Sequence, residues 1–399
     1  AVVARHAAAV LERCADRYSG RATPLLADHV DLATGEPERW EGRTLTNLAR
    51  QQHYLRVLDG LAALGQEHFG QRARVWVECA TEVLADEGGL FYWGGHSTYD
   101  LNSETPLAGN HELKCVYPYY DYLYRIDPER TRRFIEAFWQ RHIWDWKTLL
   151  FNRHGDYGAW ERSRVWEEAA FAGGALPIVE NTALSFINTG SDLIYAGAEL
   201  FRLHGEERAL GWAKNLLSRY DQIRHPQTGL GGYQFNHREP CRVRASFEPP
   251  LGDCAEVNEA TVLTTGTLQT RGQRAAITFL NLYEQLGDER GREFLDLTLK
   301  DLRALMQYSW DGARGCFYPV FYDGRRLGPG DAQERGYCPP SKLVPLAAQG
   351  GALLTFARAY RLTQADDLLA MAAALATAMG WTQSGTAVPT PAPGEPTPE

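Results

Sequence analysis

Three histidines, a glutamate and an arginine lie in two separated stretches of the sequence and together have the chemistry of a metal site. The first stretch contains His96, His111 and Glu112, and the second contains Arg153 and His154. Imidazole nitrogens with one carboxylate oxygen suit a borderline divalent ion such as Mn, Co, Ni or Zn better than Ca, which prefers oxygen ligands. Each residue alone is also explained as a loop residue whose side chain binds a backbone group. The metal-site hypothesis therefore depends on whether the fold brings the two stretches together.

A sequence pattern that occurs five times indicates how these stretches are positioned. Each copy has an apolar helix end, then Gly, Asp or Thr as a break, and then acidic residues that favour the positive end of the next helix dipole. Apolar residues recur at helical spacing on both sides, so each copy predicts a tight turn between two helices. The five copies begin at Leu61, Leu123, Leu200, Leu282 and Tyr360.

Long segments rich in Gly, Pro and aromatic residues separate the predicted hairpins, namely 88–110, 152–182, 225–262 and 311–342. Repeated hairpins that bury apolar stripes against their neighbours close into an all-α fold, the α/α toroid, and the pattern predicts six or seven of them. Tight turns alternate with long segments, so all the long segments should emerge on one face, where function is expected. An open α-solenoid is the alternative, and the irregular repeat length argues against it.

Composition narrows the class of partner. The chain has 399 residues and a formal net charge of −9, which argues against nucleic acid because phosphate binding needs clustered Lys and Arg. No apolar run is long enough to cross a membrane. Residues 1–381 are predicted to form the toroid, and residues 382–399 a Pro-rich disordered tail or linker. The chain shows no signal-peptide pattern, so the compartment stays open between periplasmic or secreted and cytoplasmic.

A family resemblance appears in the stretch from Gly94 to Asp156. With His-Glu-Leu-Lys at 111–114 and Asn-Arg-His-Gly at 152–155, this stretch resembles the family 2 polysaccharide lyases, which are pectate lyases built on an α/α toroid. Residues 228–234, Thr-Gly-Leu-Gly-Gly-Tyr-Gln, also resemble a segment of that family. The resemblance implies a lyase acting on an acidic polysaccharide or oligosaccharide.

The resemblance also implies roles for individual residues. His96, Glu112 and His154 would bind the metal ion, and Arg153, directly before the second histidine, would be the base. His111 is a competing ligand, because the spacing between His96 and Glu112 is shorter than in the family. In such lyases the base removes the proton α to the C6 carboxylate, the 4-oxygen is expelled, and the metal stabilises the developing enolate.

Arginine is an unusual base, because a guanidinium normally keeps its proton at neutral pH. The resemblance therefore requires Arg153 to be desolvated beside the metal, or a neighbour such as Tyr157 or His111 to take the proton. Further residues have side chains that suit a uronate substrate. Aromatic side chains stack on sugar rings and guanidinium groups pair with carboxylates; the candidates are Trp93, Trp160, Tyr233, Trp310, Arg242, Arg244 and Arg271.

Other functions are possible on the same architecture, since a fold does not determine chemistry. A glycoside hydrolase would use two carboxylates, for which Asp156 with Glu256 or Glu259 are candidates. A sugar epimerase would use paired histidines, such as His111 and His237. A non-catalytic carbohydrate-binding scaffold would need an apolar concave surface and no metal cluster.

Overall fold

Paired helices joined by tight turns make up most of the structure. The computed structural model describes residues 1–381 except 32, 160–164, 168–170, 172, 174–178, 181–182, 238–258 and 333–337. Two π-helical turns, Thr270–Arg274 and Leu305–Ser309, flank the longest helix, and two 3-10 turns span Pro329–Asp331 and Pro340–Lys342. The α-helices are α1 (Val2–Arg13), α2 (Leu48–Ala63), α3 (Glu67–Val83), α4 (Tyr120–Ile126), α5 (Pro128–His142), α6 (Ile187–His204), α7 (Glu207–Gln222), α8 (Thr265–Gln269), α9 (Ala275–Ala304), α10 (Gly350–Thr363) and α11 (Asp366–Ala378).

Local sequence explains where these helices begin and end. The Asn47 side chain caps α2, and the Asp127 side chain accepts a 2.9 Å hydrogen bond from the Arg130 amide at the start of α5. Glu67 opens α3, so an acidic residue lies near the positive end of that helix dipole. The fourth tight turn lies inside α9 at Gly287, whose φ of 72° and ψ of −178° break the helix in two.

The hairpins pack side by side in chain order. Helices of one hairpin contact helices of the next, as α4 contacts α6 and α6 contacts α9. Helix α6 is buried on every side from Thr189 to Leu200, whereas α7 buries one face. An all-round buried helix belongs to an inner layer and an amphipathic one to an outer layer. The predicted all-α architecture, an α/α toroid, is confirmed.

The number of units differs from the expectation. The described residues form five complete hairpins, and α1 is a single helix packed on α2, whereas six or seven hairpins were expected. No helix of this described part is long and apolar enough to cross a lipid bilayer.

Short strands occur in the segments between the hairpins. They pair as β1-β2-β3, β4-β5, β6-β7, β8-β11 and β9-β10-β12, and all but the β6-β7 pair are antiparallel. These small sheets stiffen the long segments that carry the candidate site. The strands are β1 (Leu45–Thr46), β2 (Ser97–Asp100), β3 (Thr105–Ala108), β4 (Ile143–Asp145), β5 (Leu150–Phe151), β6 (Val179–Glu180), β7 (Asn236–His237), β8 (Val262–Leu263), β9 (Trp310–Asp311), β10 (Cys316–Phe317), β11 (Val320–Phe321) and β12 (Leu346–Ala347).

Candidate metal centre and active site

Backbone hydrogen bonds join the two motif-bearing stretches. The Gly95 amide donates to the Glu112 carbonyl at 2.9 Å, which ties the segment before β2 to the Glu112 segment. His111 and Gly155 exchange two backbone hydrogen bonds of 2.9 Å each. These hydrogen bonds join the three short segments that contain Gly95, Glu112 and Gly155 into one sheet-like patch. The chain therefore presents His96, Glu112 and His154 from a shared, fixed backbone.

The side chains of His96, Glu112 and His154 converge on one point. Their ligand atoms all lie within 4.8 Å of one another. The His96 Nε2 atom lies 3.2 Å from Glu112 Oε2, and the His154 Nε2 atom lies 3.6 Å from Glu112 Oε1. Two imidazole nitrogens and a carboxylate oxygen are the donor set that the sequence predicted for a borderline divalent ion.

The surroundings of Glu112 fit a bound cation. Its carboxylate has no exposed surface, and neither oxygen accepts a hydrogen bond of normal geometry. Lys114 Nζ lies 2.8 Å from Oε2, and Arg153 Nε lies 3.1 Å from Oε1. A buried carboxylate must be matched by positive charge or metal coordination. The residues present therefore fit a divalent ion held by Glu112 with His96 and His154.

His111 has a different position from the three candidate ligands. Its Nε2 atom accepts a hydrogen bond from Trp93 Nε1 at 3.1 Å, and its Nδ1 atom lies 2.8 Å from His142 Nε2. His142 Nδ1 in turn lies 2.8 Å from the Asn152 carbonyl, so each ring donates onward to the next acceptor. Burial lowers the pKa of His111 well below its usual value and that of His142 to about 3. Both nitrogens of His111 are occupied, so the geometry favours His96 as the ligand.

Two alternative bases are also engaged. The Tyr157 hydroxyl contacts Ser97 Oγ and the Phe91 carbonyl, and burial raises its pKa far above the usual value. His111 is buried as described. Arg153 is 16% exposed, and its Nε atom lies 3.1 Å from His154 Nε2, beside the candidate metal ligands. Arg153 thus contacts two of the candidate ligands, Glu112 and His154, through its Nε atom.

The prediction that Trp93 stacks on a sugar ring is wrong. Its side chain is fully buried and packs edge-on against Phe91 and Phe134, with ring centroids 4.7 Å apart in each case. The segment that carries it turns back into the core before it reaches His96. Trp93 therefore donates a hydrogen bond to His111 from within the core and does not face the candidate site.

The prediction that Arg271 pairs with substrate is also wrong. Its side chain has no exposed surface, and its Nη1 atom lies 3.1 Å from Asp301 Oδ1. Its Nη2 atom donates to the Gly232 carbonyl at 2.8 Å. Arg271 lies in the π-helical turn after α8, inside the ring, where it holds the segment at 228–234 that resembles the lyase family.

The remaining substrate-binding predictions stay predictions. The half-buried Tyr233 stacks on Phe186 with centroids 4.5 Å apart, and burial raises its pKa while the nearby Arg153 lowers it. Trp310 is half-buried against Phe317. Four candidates lie outside the described residues: the predicted substrate-binding residues Trp160, Arg242 and Arg244, and the hydrolase candidate Glu256. The side chain of the epimerase candidate His237 also lies outside them.

Two lysines near the site were not among the predicted residues. Lys114 belongs to the His-Glu-Leu-Lys motif, so its contact with Glu112 could have been found from that motif. Lys342 follows the long segment before α10 and has no local signal. Burial lowers the pKa of Lys342, and Arg153 and Lys114 act in the same direction. Lys114 and Arg153 thus place two cationic side chains against Glu112, although the whole chain is acidic.

The chain belongs to the periplasmic pectate lyase family, whose family model matches residues 23–392, and it is therefore a polysaccharide lyase on an α/α toroid. A pectate disaccharide-lyase from Dickeya dadantii (strain 3937) is 31% identical over 391 residues, covering 87% of this chain and 69% of that protein. The resemblance inferred from the motifs is confirmed.

Solved structures of other enzymes share the architecture. A sugar epimerase from a ruminal bacterium superposes with a TM-score of 0.54 at 14% identity, over 95% of this chain and 87% of that one. The cellobiose 2-epimerase from Bacillus thermoamylovorans B4167 has a TM-score of 0.53 at 14% identity, over 92% of this chain and 82% of that one. At this identity the likeness shows the α/α toroid fold alone.

Proposed function

We propose that this protein cleaves a pectate-like polymer of uronic acid by metal-assisted β-elimination. The observation that carries the proposal is the convergence of His96, Glu112 and His154 on one point, with Arg153 against two of them. Membership of the pectate lyase family supports the same reaction. An acidic polysaccharide also matches the cationic side chains around the centre.

Each residue has a part in this mechanism. Glu112, His96 and His154 would hold the ion, which supplies Lewis-acid stabilisation of the enolate when bound. Lys114 and Lys342 would attract and orient the C6 carboxylate, because ammonium groups at the edge of a partly buried site interact strongly with anions. Arg153 would take the proton from C5, α to that carboxylate, and the 4-oxygen would leave with the bond electrons.

The acidity of Arg153 sets the condition for this step. A guanidinium can accept a proton only after losing one, so surrounding positive charge must favour its neutral form. Arg153 is also packed over the Phe186 ring, 5.4 Å from its centroid, which removes water from one side of the guanidinium.

The decisive experiment follows the unsaturated product on polygalacturonate and on other uronic-acid polymers. Wild-type protein should form a product with a new double bond, lose activity with chelator, and regain it with Mn, Co, Ni or Zn better than with Ca. Arg153→Lys should lower turnover about 100-fold or more, the usual scale for loss of a general base, while metal affinity by calorimetry is retained. Glu112→Ala should lose both metal and activity.

Arg74→Lys is the matched control, because Arg74 lies exposed on α3 in an ion pair with Glu78. It should leave turnover unchanged. Near-normal turnover in Arg153→Ala, or cleavage products without a double bond, would contradict the lyase mechanism and favour a hydrolase.

A further inference from the structure

A cleft lies next to the candidate metal centre, and no step of the proposed β-elimination uses it. It has a volume of about 510 Å³, and its lining includes His96, Ser97, Thr98, Trp40 and Arg50. Small-molecule sites have volumes of about 300–1,000 Å³, so the cleft is large enough for a sugar residue. His96 belongs both to the cleft lining and to the candidate metal centre, and its side chain is 48% exposed.

Trp40 offers an exposed aromatic face in this cleft. It is 55% exposed, although large apolar side chains are usually covered. Its backbone exchanges hydrogen bonds of 3.0 and 2.9 Å with Arg43, around Glu41 and Gly42 at φ values of 48° and 81°. This is a two-residue hairpin turn with a defined backbone. The turn therefore holds the indole in solvent as a platform on which a pyranose ring can stack.

Arg50 adds a cation to the lining of the same cleft. It lies in the first turn of α2, its side chain is 56% exposed, and its Nη1 atom is 4.0 Å from Asp28 Oδ2. Asp28 is turned inward, because its Oδ1 atom accepts hydrogen bonds from the Asn47 amide at 2.9 Å and Gln51 Nε2 at 2.7 Å. The long contact leaves the guanidinium able to form a bidentate pair with a carboxylate.

The cleft is fixed relative to the metal centre. The Asn47 side-chain amide donates to the Gly94 carbonyl at 3.1 Å and to the Ser97 carbonyl at 2.9 Å. The start of α2, which carries Arg50, is thereby bound to the segment that carries His96. Strands β1 and β2 pair at the same place. A sugar bound at Trp40 and Arg50 would consequently keep a constant distance from a sugar bound at the metal.

We propose that this cleft is a subsite for a neighbouring uronate residue of the polymer. The pyranose ring stacks on Trp40, and the carboxylate of the same residue pairs with Arg50. The inference rests on the proposed function and adds where the chain extends from the reacting residue, on the side of His96. The lining also contains the carboxylates of Glu38, which is exposed, and Asp28, together with the guanidinium of Arg39.

Two substitutions in the full chain test the subsite. Trp40→Ala and Arg50→Gln should each raise the KM for polygalacturonate on the order of tenfold, the size of one charged hydrogen bond or stacked ring, with little change in kcat. Trp40→Phe should keep most of the affinity, because it retains an aromatic face. Trp381→Ala and Arg74→Gln are the matched controls, since both residues are exposed and outside the cleft lining.

Calorimetric titration separates this inference from the proposed function. Tetragalacturonate and its methyl ester are titrated into metal-free protein, so that no turnover is needed. Arg50→Gln should weaken binding of the free acid on the order of tenfold and change binding of the ester little, because only the acid carries the charge. Trp40→Ala should weaken both.

Unchanged KM and unchanged titrations in both variants would refute the subsite, even if wild-type protein degrades the polymer. Equal losses for acid and ester in Arg50→Gln would refute the carboxylate pairing. If wild-type protein forms no unsaturated product, the proposed function fails, and the titrations still decide whether the cleft binds uronate. Melting temperature and metal affinity should match wild type in every variant, which excludes misfolding as the cause.

Discussion

Glu112 carries an unusual concentration of interactions for one side chain. Its carboxylate is fully buried, and four nitrogen atoms, from two histidines, a lysine and an arginine, lie within 3.6 Å of it. Removing one partner of such a group leaves an uncompensated buried charge, which is strongly destabilising. A divalent ion would add to the positive charge of Lys114 and Arg153. The centre would then attract a uronate carboxylate in a chain whose net charge is −9.

The close approach of Gly95 to Glu112 yields a prediction at the residue scale. A Cβ atom on residue 95 would lie 2.3 Å from Glu112 Oε2, much closer than a normal contact. Gly95→Ala should therefore push the carboxylate away from His96 and lower metal affinity by about tenfold or more, since a small misplacement of ligands costs affinity. Calorimetric titration with Mn or Co measures the change.

Gly60→Ala is the control for Gly95→Ala, because a Cβ atom at residue 60 on α2 meets no atom within 4 Å. It should leave metal affinity unchanged and, as a helix-interior replacement of glycine, should not destabilise the fold. Wild-type metal affinity in Gly95→Ala would show that Glu112 is not a ligand.

At the scale of elements, helix α6 holds the segment that follows the metal motif. Asp192 of α6 accepts hydrogen bonds from the Val116 and Tyr117 amides at 3.0 and 2.7 Å, both at Oδ1. Cys115 and Tyr117 have φ values of 56° and 47°, which non-glycine residues adopt only when their surroundings impose it. Asp192 therefore fixes the backbone just beyond Lys114.

Burial raises the pKa of Asp192 to about 7. The folded state binds this proton more tightly than the unfolded state, so the stabilisation is full below the unfolded pKa of about 4 and is lost as the pH rises to about 7. Asp192→Asn keeps the Oδ1 acceptor and removes the titration. The free energy of unfolding of Asp192→Asn minus that of wild type should therefore be larger at pH 8 than at pH 5 by on the order of 2 kcal/mol.

Urea unfolding of both proteins at pH 5 and pH 8 measures this difference. Glu289→Gln is the control, because its side chain is 89% exposed, and its difference from wild type should not change with pH. An equal difference for Asp192→Asn at both pH values would mean that Asp192 is ionised throughout.

Tight turns and long segments alternate along the whole chain, so the residues that pack the ring and the residues of the candidate site lie in different parts of it. Tight turns of a few residues close the hairpins at one end, while the segments at the other end supply His96, Glu112, Arg153 and His154. The helical ring can then be stabilised by its apolar core without constraint from the active site. Function on loops that a rigid scaffold positions is a common arrangement.

The predicted domain boundary gives a prediction at this scale. We expect residues 1–381 to be the folded unit, because α11 ends at Ala378 and residues 382–399 lack apolar periodicity. Deletion of 382–399 should leave the melting temperature within about 1 °C and the KM for polygalacturonate unchanged, since a Pro-rich terminal segment without apolar periodicity is expected to contribute little to the core. A fall of several degrees would place the tail in the folded domain.

Local sequence determined the helical hairpins and the residues of the centre. A tight turn between two helices depends on residues within one or two turns of each other, such as Asp127 before Pro128, so each junction is recognisable alone. The His-Glu-Leu-Lys and Asn-Arg-His-Gly motifs are likewise recognisable from adjacent residues alone. The prediction that Glu112, Arg153 and His154 lie close together is met by the structure, whereas their binding of a metal stays a prediction.

The tertiary structure alone decided where side chains in the long segments point. His111 and Glu112 are adjacent in sequence, yet one is bound to His142 under the patch and the other faces His96, because backbone pairing with Gly155 sets their directions. Trp93 lies in such a segment and turns into the core, and Arg271, in a helical turn, is buried against Asp301, so neither faces the candidate site as predicted. Direction and exposure in such segments arise from contacts between residues far apart in the chain, which no local pattern records.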